Sequence, residues 1–343
     1  MVGSNILPNM IDVSDLVLVY GDGTRAVDGI SFDVKEGEFF GFLGPNGAGK
    51  STTIKVLTTL LRKTSGNVSV AGYNIEREPQ EIRKLIGVES QETVIDPDLT
   101  GRENVVLQGN LQQMKGGELA ERVDELLKLV ELESVADKMA GRYSGGMKKR
   151  LQLASSLVHK PKMLFLDEPT TGLDPQSRAG IWKYLEKLNK YEGITMFLTT
   201  QYLEEADKLC NRIAIVDSGK IVANGTAAEL KRDVGADTIN LSVEGSEQDG
   251  ELKERARKLI LGIQGVTEVN DSDGGLSARA KNAGLIIADV VRAFDDNKIK
   301  LSSISFSSPT LDDVFLQHTG RRIRVEELGR MPDRGPFGRR RRY

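Results

Sequence analysis

The first 230 residues alternate between short apolar segments and longer segments with apolar residues on one helical face. The clearest helical segment is 118–132, where every third or fourth residue is apolar. Strands that alternate with helices predict an α/β fold, in which a mostly parallel sheet is covered by helices. The short segments predict one strand at 11–20, two strands around a turn within 31–44, and further strands at 162–167 and 194–200.

The pattern changes beyond about residue 230. The predicted elements there follow the order strand, helix, two strands, helix and strand. This order is that of the split βαβ, or ferredoxin-like, arrangement, so we expect a small accessory α+β domain over residues 231–319. Residues 320–343 combine nine arginines with glycine and proline, a composition typical of a mobile tail.

Composition and charge narrow the functional classes. The 343 residues suit two or three domains, and 39% apolar with 28% charged residues is typical of a folded protein. The net charge is −3, but residues 320–343 carry +6, so the remaining chain carries −9. Because so acidic a body is unsuited to binding nucleic acid, we expect no nucleic-acid partner.

Two further features bear on location. Cys210 is the only cysteine, so no disulfide can form within the chain, which suits a reducing compartment. The longest apolar runs are far shorter than the ~18 residues that span a bilayer. We therefore expect a cytosolic protein that reaches a membrane only by docking onto a membrane-spanning partner.

A glycine-rich segment lies between a predicted strand and a predicted helix. Residues 44–52, GPNGAGKST, fit the pattern G-x-x-x-x-G-K-[ST], whose glycines let backbone N–H groups converge on phosphate oxygens. The lysine can reach the β- and γ-phosphates, and the serine hydroxyl can ligate Mg²⁺. The alternative is a glycine-rich turn without a ligand. The pattern predicts a nucleotide site at Gly44, Pro45, Asn46, Gly47, Ala48, Gly49, Lys50, Ser51 and Thr52.

Two acidic residues end the apolar strand at 162–167. Asp167 would lie at the carboxyl edge of the sheet, where a carboxylate can hold Mg²⁺. Glu168 is the candidate base that polarises the attacking water. Taken alone, the segment could be a strand followed by a capped turn, but the phosphate-binding pattern upstream favours a hydrolytic site.

A later helix start predicts a second anion site. Ser144 is a good N-cap, and Gly145 and Gly146 leave backbone amides accessible at the start of the helix. Taken alone, this segment could be an ordinary capped helix. A second anion site in a chain with one phosphate-binding loop requires a further ligand.

The order of these motifs resembles that of the ATP-binding subunits of ABC transporters. Residues 143–147, YSGGM, are similar to the family signature LSGGQ, residues 88–94 to the Q-loop, and residues 170–175, TTGLDP, to the D-loop. The resemblance covers about residues 11–230. It implies a P-loop NTPase domain of the ABC type over residues 1–230, with an inserted helical subdomain at about 92–145, and ATP and Mg²⁺ as ligands.

The same resemblance assigns roles to single residues. It implies that Gln91 contacts Mg²⁺ or the attacking water, that Asp174 links the sites of two subunits, and that Tyr20 stacks on adenine; the alternative for Tyr20 is an ordinary aromatic residue at the sheet edge. The implied unit is a head-to-tail dimer, homomeric or with a second ATPase subunit. Each ATP would then lie between the phosphate-binding loop of one subunit and Ser144, Gly145 and Gly146 of the other.

One position departs from the family pattern. ABC proteins typically carry histidine after the strand that follows the D-loop, and this chain carries Gln201 there. Glutamine can donate a hydrogen bond to the γ-phosphate, but it cannot become charged or relay a proton. We therefore expect slowed turnover at an active site.

One residue and two segments narrow the resemblance to the daunorubicin-resistance (DrrA-like) exporter ATPases. They are Gln201, the sequence YSGGMKKRL, and residues 309–320, PTLDDVFLQHTG. This implies an ATPase at the cytoplasmic face of the cell membrane that powers efflux of a drug-like or lipophilic compound through a separate transmembrane permease. Three alternatives remain. They are an ABC-type ATPase acting on another macromolecular complex, for example in translation or DNA repair; a P-loop kinase or GTPase; and a non-catalytic nucleotide-binding regulator.

The two C-terminal segments each have two interpretations. The domain over residues 231–319 could stabilise the dimer, or it could regulate the ATPase or dock a partner. The arginine-rich tail could be a solvated segment, or it could contact anionic lipid, since each arginine near such a surface contributes ~1 kcal/mol.

Overall fold

The computed structural model describes residues 8–91, 94–235, 237–245, 250–272, 275–281 and 283–321. Its strands are β1 (Asn9–Val19), β2 (Arg25–Lys35), β3 (Phe39–Leu43), β4 (Ser65–Val70), β5 (Tyr73–Asn74), β6 (Ile86–Glu89), β7 (Met163–Asp167), β8 (Thr195–Thr200), β9 (Arg212–Asp217), β10 (Lys220–Gly225), β11 (Asp237–Val243), β12 (Val266–Ser272), β13 (Gly275–Ala280) and β14 (Leu301–Ser307). Its helices are α1 (Lys50–Leu57), α2 (Pro79–Leu85), α3 (Gly101–Leu111), α4 (Gly116–Leu129), α5 (Gly145–Ser156), α6 (Pro175–Glu192), α7 (Leu203–Leu209), α8 (Ala227–Val234), α9 (Gly250–Leu261), α10 (Ala283–Asp296) and α11 (Leu311–Thr319).

A six-stranded sheet forms the centre of the N-terminal part. Its order is β10-β9-β3-β8-β7-β6, and all neighbouring strands are parallel except the β9–β10 hairpin. The three central strands β3, β7 and β8 are entirely buried, as is usual for parallel strands covered on both faces. Their carboxyl ends meet at one edge, where Leu43 pairs with Thr200 and Asp167 pairs with Thr199. The predicted α/β fold with a mostly parallel sheet is confirmed.

A second, antiparallel sheet has the order β2-β1-β4-β5. Helix α1 contacts strands of both sheets, and its residues Ile54, Val56 and Leu57 are buried between them. The layer also contains stacked and tilted phenylalanine rings, with Phe40 and Phe197 at a centroid distance of 5.8 Å. Because α1 is packed on two sides, the loop that precedes it is held at a fixed position at the sheet edge.

Helices α3, α4 and α5 pack together on one side of the central sheet, where they share a core with α6. The apolar face predicted for α4 is confirmed, since all its members are buried: Leu119, Val123, Leu126, Leu127 and Val130. Helix α3 begins with a capping box in which Thr100 and Glu103 each bond the other's backbone N–H. Within the described residues, no helix has the length and apolar character to cross a bilayer.

The C-terminal part has its own antiparallel sheet, in the order β12-β13-β11-β14. Helices α9 and α10 pack on the sheet, and the two helices and four strands share one apolar core that includes Leu241, Ile260 and Phe294. The strand order along the chain and across the sheet is that of the split βαβ arrangement. The ferredoxin-like order predicted from the sequence is therefore confirmed.

The last helix, α11, returns to the N-terminal part. Its buried residues Leu311, Val314 and Phe315 belong to one apolar cluster with Leu43 of β3 and Leu230 of α8. The domain boundary predicted near residue 230 stays a prediction, but the described contacts make α11 part of the packing behind β3. Residues 322–343, which include most of the predicted tail, lie outside the described residues.

Candidate functional site

The predicted phosphate-binding loop, residues 44–52, connects the end of β3 to the start of α1. Two of its glycines leave no room for a side chain, since a Cβ at Gly44 would lie 2.3 Å from the Val216 carbonyl oxygen and one at Gly49 would lie 2.3 Å from that of Ala26. Gly49 also has a φ of +97° and precedes α1 without a side-chain cap. The first-turn N–H groups of α1 therefore have no capping side chain and are suited to binding an anion.

Lys50 lies at the centre of this loop with only 4% of its surface exposed. Its Nζ donates to the carbonyl oxygens of Gly44, at 2.8 Å, and Pro45, at 2.9 Å. The same atom lies 3.0 Å from Oε1 of Glu168. A lysine ammonium has three protons, so these three oxygens account for its full donor capacity. The lysine predicted to reach ATP phosphates is thus held beside the predicted catalytic carboxylate.

Ser51 and Asp167, both predicted at Mg²⁺, lie together. The Ser51 hydroxyl donates to Oδ1 of Asp167 at 3.1 Å, and the Thr199 hydroxyl donates to the same oxygen at 2.6 Å. Asp167 is 7% exposed, so its carboxylate is held in a nearly dry position. A hydroxyl and a carboxylate are hard oxygen ligands of the kind that Mg²⁺ takes in nucleotide sites, so this pair fits the ion.

Glu168 is held in an unusual backbone conformation. Its φ is +51°, in the left-handed region that side-chain-bearing residues seldom adopt. Its N–H donates to the backbone oxygen of Thr199 at 3.1 Å, and Thr171 donates through its hydroxyl to Oε2 at 3.2 Å. Such conformations persist only where the surroundings impose them, and they are concentrated at functional sites. The turn after β7 therefore directs this carboxylate towards the phosphate-binding loop.

Gln201 directly follows β8 and is 4% exposed. Its Oε1 is buried and has no hydrogen-bond partner within the described part of the chain. Buried polar atoms are nearly always paired, so an exception at the edge that also carries Asp167 and Glu168 suits a side chain that completes its bonding with a ligand. A half-turn flip of the Gln201 side-chain amide would place its NH₂ group where Oε1 now lies, so the side chain could donate to a ligand instead.

Gln91 lies just after β6 and is exposed. Its described contact is made by its backbone oxygen, which accepts from Nζ of Lys149 at 3.4 Å. The described contacts do not bring it to Ser51 or Asp167, so its predicted role at Mg²⁺ stays a prediction. Residues 92–93 of the predicted Q-loop lie outside the described residues.

Tyr20 follows β1 and is 38% exposed. Its hydroxyl lies 3.0 Å from that of Thr52, in the first turn of α1. The ring is thus fixed beside the phosphate-binding loop while much of its surface remains accessible. This placement is compatible with the predicted stacking on adenine.

The predicted signature lies at the start of α5. The Ser144 hydroxyl accepts from Met147 N–H at 3.3 Å, which confirms the predicted N-cap, and both Ser144 and Gly145 are exposed. Ser144 and Gly146 line a cavity of about 860 Å³ between the helical region and α6. None of residues 44–52, all of which the structure describes, lines this cavity. The predicted second anion site is therefore separate from the phosphate-binding loop of the same chain.

The predicted D-loop residue Asp174 caps α6 next to the signature. Its Oδ1 accepts from Ser177 N–H at 3.0 Å, and its Oδ2 accepts from the Ser177 hydroxyl at 2.6 Å. These bonds, the hydroxyl bond first, hold the pKa of Asp174 below its ordinary value. Ser177 is also the neighbour of Gly146, where a Cβ would lie 2.9 Å from its Oγ. The signature and the exposed Asp174 therefore share one surface.

Sequence reasoning missed the threonines that fix the acidic residues. Thr199 contacts both Asp167 and Glu168, and Thr171 contacts Glu168. The parallel pairing of β7 with β8 places Thr199 beside Asp167, and this pairing is not visible in the order of the strands along the chain. Thr171 had a usable signal, because it follows Glu168 by three residues in a turn-rich segment.

Comparisons with known proteins agree with this geometry. The family model of ABC transporters matches residues 27–171. The family model of the C-terminal domain of DrrA1-3-like ATP-binding proteins matches residues 225–319. The chain is 43% identical over 308 residues to the daunorubicin resistance ATP-binding protein DrrA3 of Streptomyces coeruleorubidus, covering 90% of this chain and 95% of that protein. It is 36% identical over 321 residues to the linearmycin resistance ATP-binding protein LnrL of Bacillus subtilis, covering 92% and 100%.

Solved structures give the same result for the ATP-binding part. A dimeric ATP-binding cassette in a post-hydrolysis state, bound to ADP and Pi, matches with a TM-score of 0.59 and 30% identity, covering 63% of this chain and 98% of that one. The cbiO1 subunit of a Clostridium perfringens ABC transporter complex matches with a TM-score of 0.60 and 30% identity, covering 74% and 96%. The chain therefore belongs to the ABC transporter ATP-binding family, in the branch with a DrrA-like C-terminal domain, and is an ATPase.

Proposed function

We propose that this chain powers efflux of a drug-like or lipophilic compound through a separate transmembrane permease, at the cytoplasmic face of the cell membrane. The observation that carries the ATP hydrolysis in this proposal is the grouping of buried Lys50, Glu168 and Asp167 with half-buried Ser51 at the sheet edge. Full-length similarity to proteins named for resistance to daunorubicin and linearmycin supports export of such compounds. An ABC-type ATPase acting on another macromolecular complex is not favoured by these relatives.

Each residue of this group has a task in hydrolysis. Lys50 and the N–H groups at the start of α1 bind and orient the ATP phosphates. Glu168, fixed by Thr199 and Thr171, accepts hydrogen bonding from the attacking water and takes up its proton. Ser51 and Asp167 would hold Mg²⁺, which would neutralise charge on the phosphate oxygens. Gln201 and Gln91 position the γ-phosphate and the water.

The signature surface completes the site of a second subunit. The exposed start of α5 would bind the γ-phosphate of an ATP held by the phosphate-binding loop of a facing copy. Two observations support this. None of residues 44–52 of the same chain lines the cavity at Ser144 and Gly146, and Asp174 lies on the same surface as that cavity. ATP binding would then close a dimer and hydrolysis would open it, and this movement would drive the permease.

The dimer is tested with Glu168→Gln, which should bind ATP, hydrolyse it slowly and accumulate as a dimer in light scattering. Adding Gly145→Asp should abolish that dimer, because the new carboxylate would repel the γ-phosphate of the facing subunit. Position 145 has open space around its Cα, and an acidic residue suits a helix start, so this variant should fold. A Glu168→Gln protein that stays monomeric with ATP would count against the proposal.

Export is tested in inverted vesicles from cells that contain this chain and the membrane protein that co-purifies with its Glu168→Gln variant. ATP-dependent accumulation of a fluorescent lipophilic drug such as doxorubicin is expected, and the Glu168→Gln vesicles should accumulate none. ATP turnover without accumulation of any lipophilic compound would favour the alternative function.

A further inference from the structure

We propose that Glu205 is a positioning residue for ATP hydrolysis, which fixes the segment between Glu168 and Asp174 against the segment that carries Gln201. It contacts neither phosphate nor water in this role. The inference rests on ATP hydrolysis by the site described above and not on the compound that is transported.

Glu205 lies in the first turns of α7 and is completely buried. Its Oε1 accepts from the Thr170 hydroxyl at 2.8 Å and from the indole Nε1–H of Trp182 at 2.9 Å. The three side chains come from three separate segments: α7, the turn after β7, and α6. One carboxylate oxygen therefore joins elements that the chain does not connect directly.

The bond to Thr170 lies at a sensitive place. Thr170 is fully buried, two residues after Glu168 and four residues before Asp174. Glu205 itself lies in α7, four residues after Gln201. The short turn between β8 and α7 is held by a hydrogen bond from Tyr202 N–H to the Thr200 hydroxyl at 2.9 Å. A shift of Thr170 relative to α7 would therefore change the distance between Glu168 and Gln201 and the position of the D-loop.

Burying a carboxyl group to join these segments costs free energy, which indicates a functional reason for its presence. Burial raises the pKa of Glu205, while the nearby Thr200 hydroxyl, the hydrogen bonds from Trp182 and Thr170 and the charge of Arg178 act in the opposite direction. An apolar residue of similar volume would often be as stable at such a position. Only an acceptor, however, can fix the orientation of the Thr170 hydroxyl and the Trp182 indole together.

The geometry predicts different results for the two donors. Thr170→Val keeps the shape of the side chain and removes the bond to the Glu168–Asp174 segment. Trp182→Phe is the matched control, since it removes the bond to the same oxygen from the α6 side. If Glu205 positions Glu168 and the D-loop, Thr170→Val should lower kcat on the order of tenfold with the KM for ATP within about twofold, and Trp182→Phe should leave kcat within about twofold.

Variants of Glu205 itself complete the test. Glu205→Leu should lower kcat as much as Thr170→Val, and Glu205→Gln, which retains an acceptor oxygen, should recover most of the loss. The double variant Thr170→Val with Glu205→Leu should be no slower than the worse single variant, since each change removes the same bond between Thr170 and Glu205. Glu204→Gln, at the exposed neighbouring position, controls for the change of charge on α7.

These variants separate positioning from stability. ATPase kinetics is measured at a temperature at which thermal unfolding shows each protein to be folded, and if Glu205→Leu does not fold, Thr170→Val and Glu205→Gln carry the test. A Thr170→Val enzyme with wild-type kcat would overturn the proposal, as would an equal loss in Trp182→Phe. Glu168→Gln is the independent reference, because its slow turnover shows that the measured activity belongs to this site.

Discussion

The Nζ of Lys50 lies 3.0 Å from Oε1 of Glu168, and the two side chains are only 4% and 5% exposed. This buried ion pair joins the residue predicted to bind phosphate to the residue predicted to activate water. Removing one partner of such a pair leaves an uncompensated charge in a nearly dry place, which is far costlier than removing both. The two positions therefore influence the stability of the fold together, in addition to their separate tasks in hydrolysis.

We expect Lys50→Ala to abolish ATP binding and to lower the free energy of unfolding by about 3–5 kcal/mol. The double variant with Glu168→Gln should regain part of that stability, because no unpaired buried charge remains, but it should regain no activity. Chemical denaturation and binding of a fluorescent ATP analogue check both points. A double variant less stable than Lys50→Ala would show that the pair does not govern stability here.

Ser51→Ala should raise the Mg²⁺ concentration needed for half-maximal turnover on the order of tenfold, since it removes one of the two proposed oxygen ligands that lie together. Thr58→Val is the matched control, because it removes another hydroxyl from the end of the same helix, one that donates to the Ile54 carbonyl oxygen. The control should lose stability and keep its Mg²⁺ dependence. Equal Mg²⁺ titrations for wild-type and Ser51→Ala proteins would remove Ser51 from the metal site.

Gln201→Ala should slow ATP turnover by less than the ~10²–10³-fold that follows loss of a strongly oriented donor, because glutamine is a neutral and adaptable one. Gln201→His should retain or raise turnover, since histidine occupies this place in typical family members. Steady-state phosphate release measures both variants. Unchanged turnover in Gln201→Ala would mean that this side chain takes no part in hydrolysis.

Tyr20→Ala should raise the KM for ATP about 5- to 150-fold, because stacking of an aromatic ring on a base contributes ~1–3 kcal/mol. Tyr20→Phe removes only the contact of the hydroxyl with Thr52 and should stay close to the wild-type KM. The two variants together distinguish stacking from support of the phosphate-binding loop. A similar rise in both would assign the effect to the Thr52 contact.

His159 should make the fold sensitive to acid. Burial, aided by the charge of Arg122, lowers its pKa, against a hydrogen bond with the Ile86 carbonyl oxygen at 2.9 Å that raises it. The folded state thus favours neutral His159, so the associated stability is present above the ordinary pKa of about 6.5 and is lost as the pH falls below it. His159→Gln should show a smaller loss of stability between pH 7 and 5 than the wild-type protein in parallel denaturation curves. An identical loss would exclude His159 as the cause.

Local patterns predicted most elements well. The apolar strands that became β3, β7 and β8, the amphipathic helix α4 and the glycine-rich turn all depend on near neighbours in the chain, so their signals are complete within a few residues. Strand β4 was missed because Ser65–Val70 has weak alternation and is stabilised by pairing with β1, about fifty residues earlier. Helix α11 was missed as a core element, since it packs on α8, α7 and β10 rather than on its neighbours in sequence.

The sequence by itself determined which residues could bind phosphate, metal and water, because the chemistry of Lys50, Ser51, Asp167 and Glu168 and the conformational freedom of the glycines are properties of the residues. Only the tertiary structure decided which groups meet. The parallel pairing of β3, β8 and β7 places Thr199 against Asp167, and burial behind that edge sets Glu205 between Thr170 and Trp182. Contacts of this kind join residues far apart in the chain, and their energies depend on exclusion of water, which no local pattern contains.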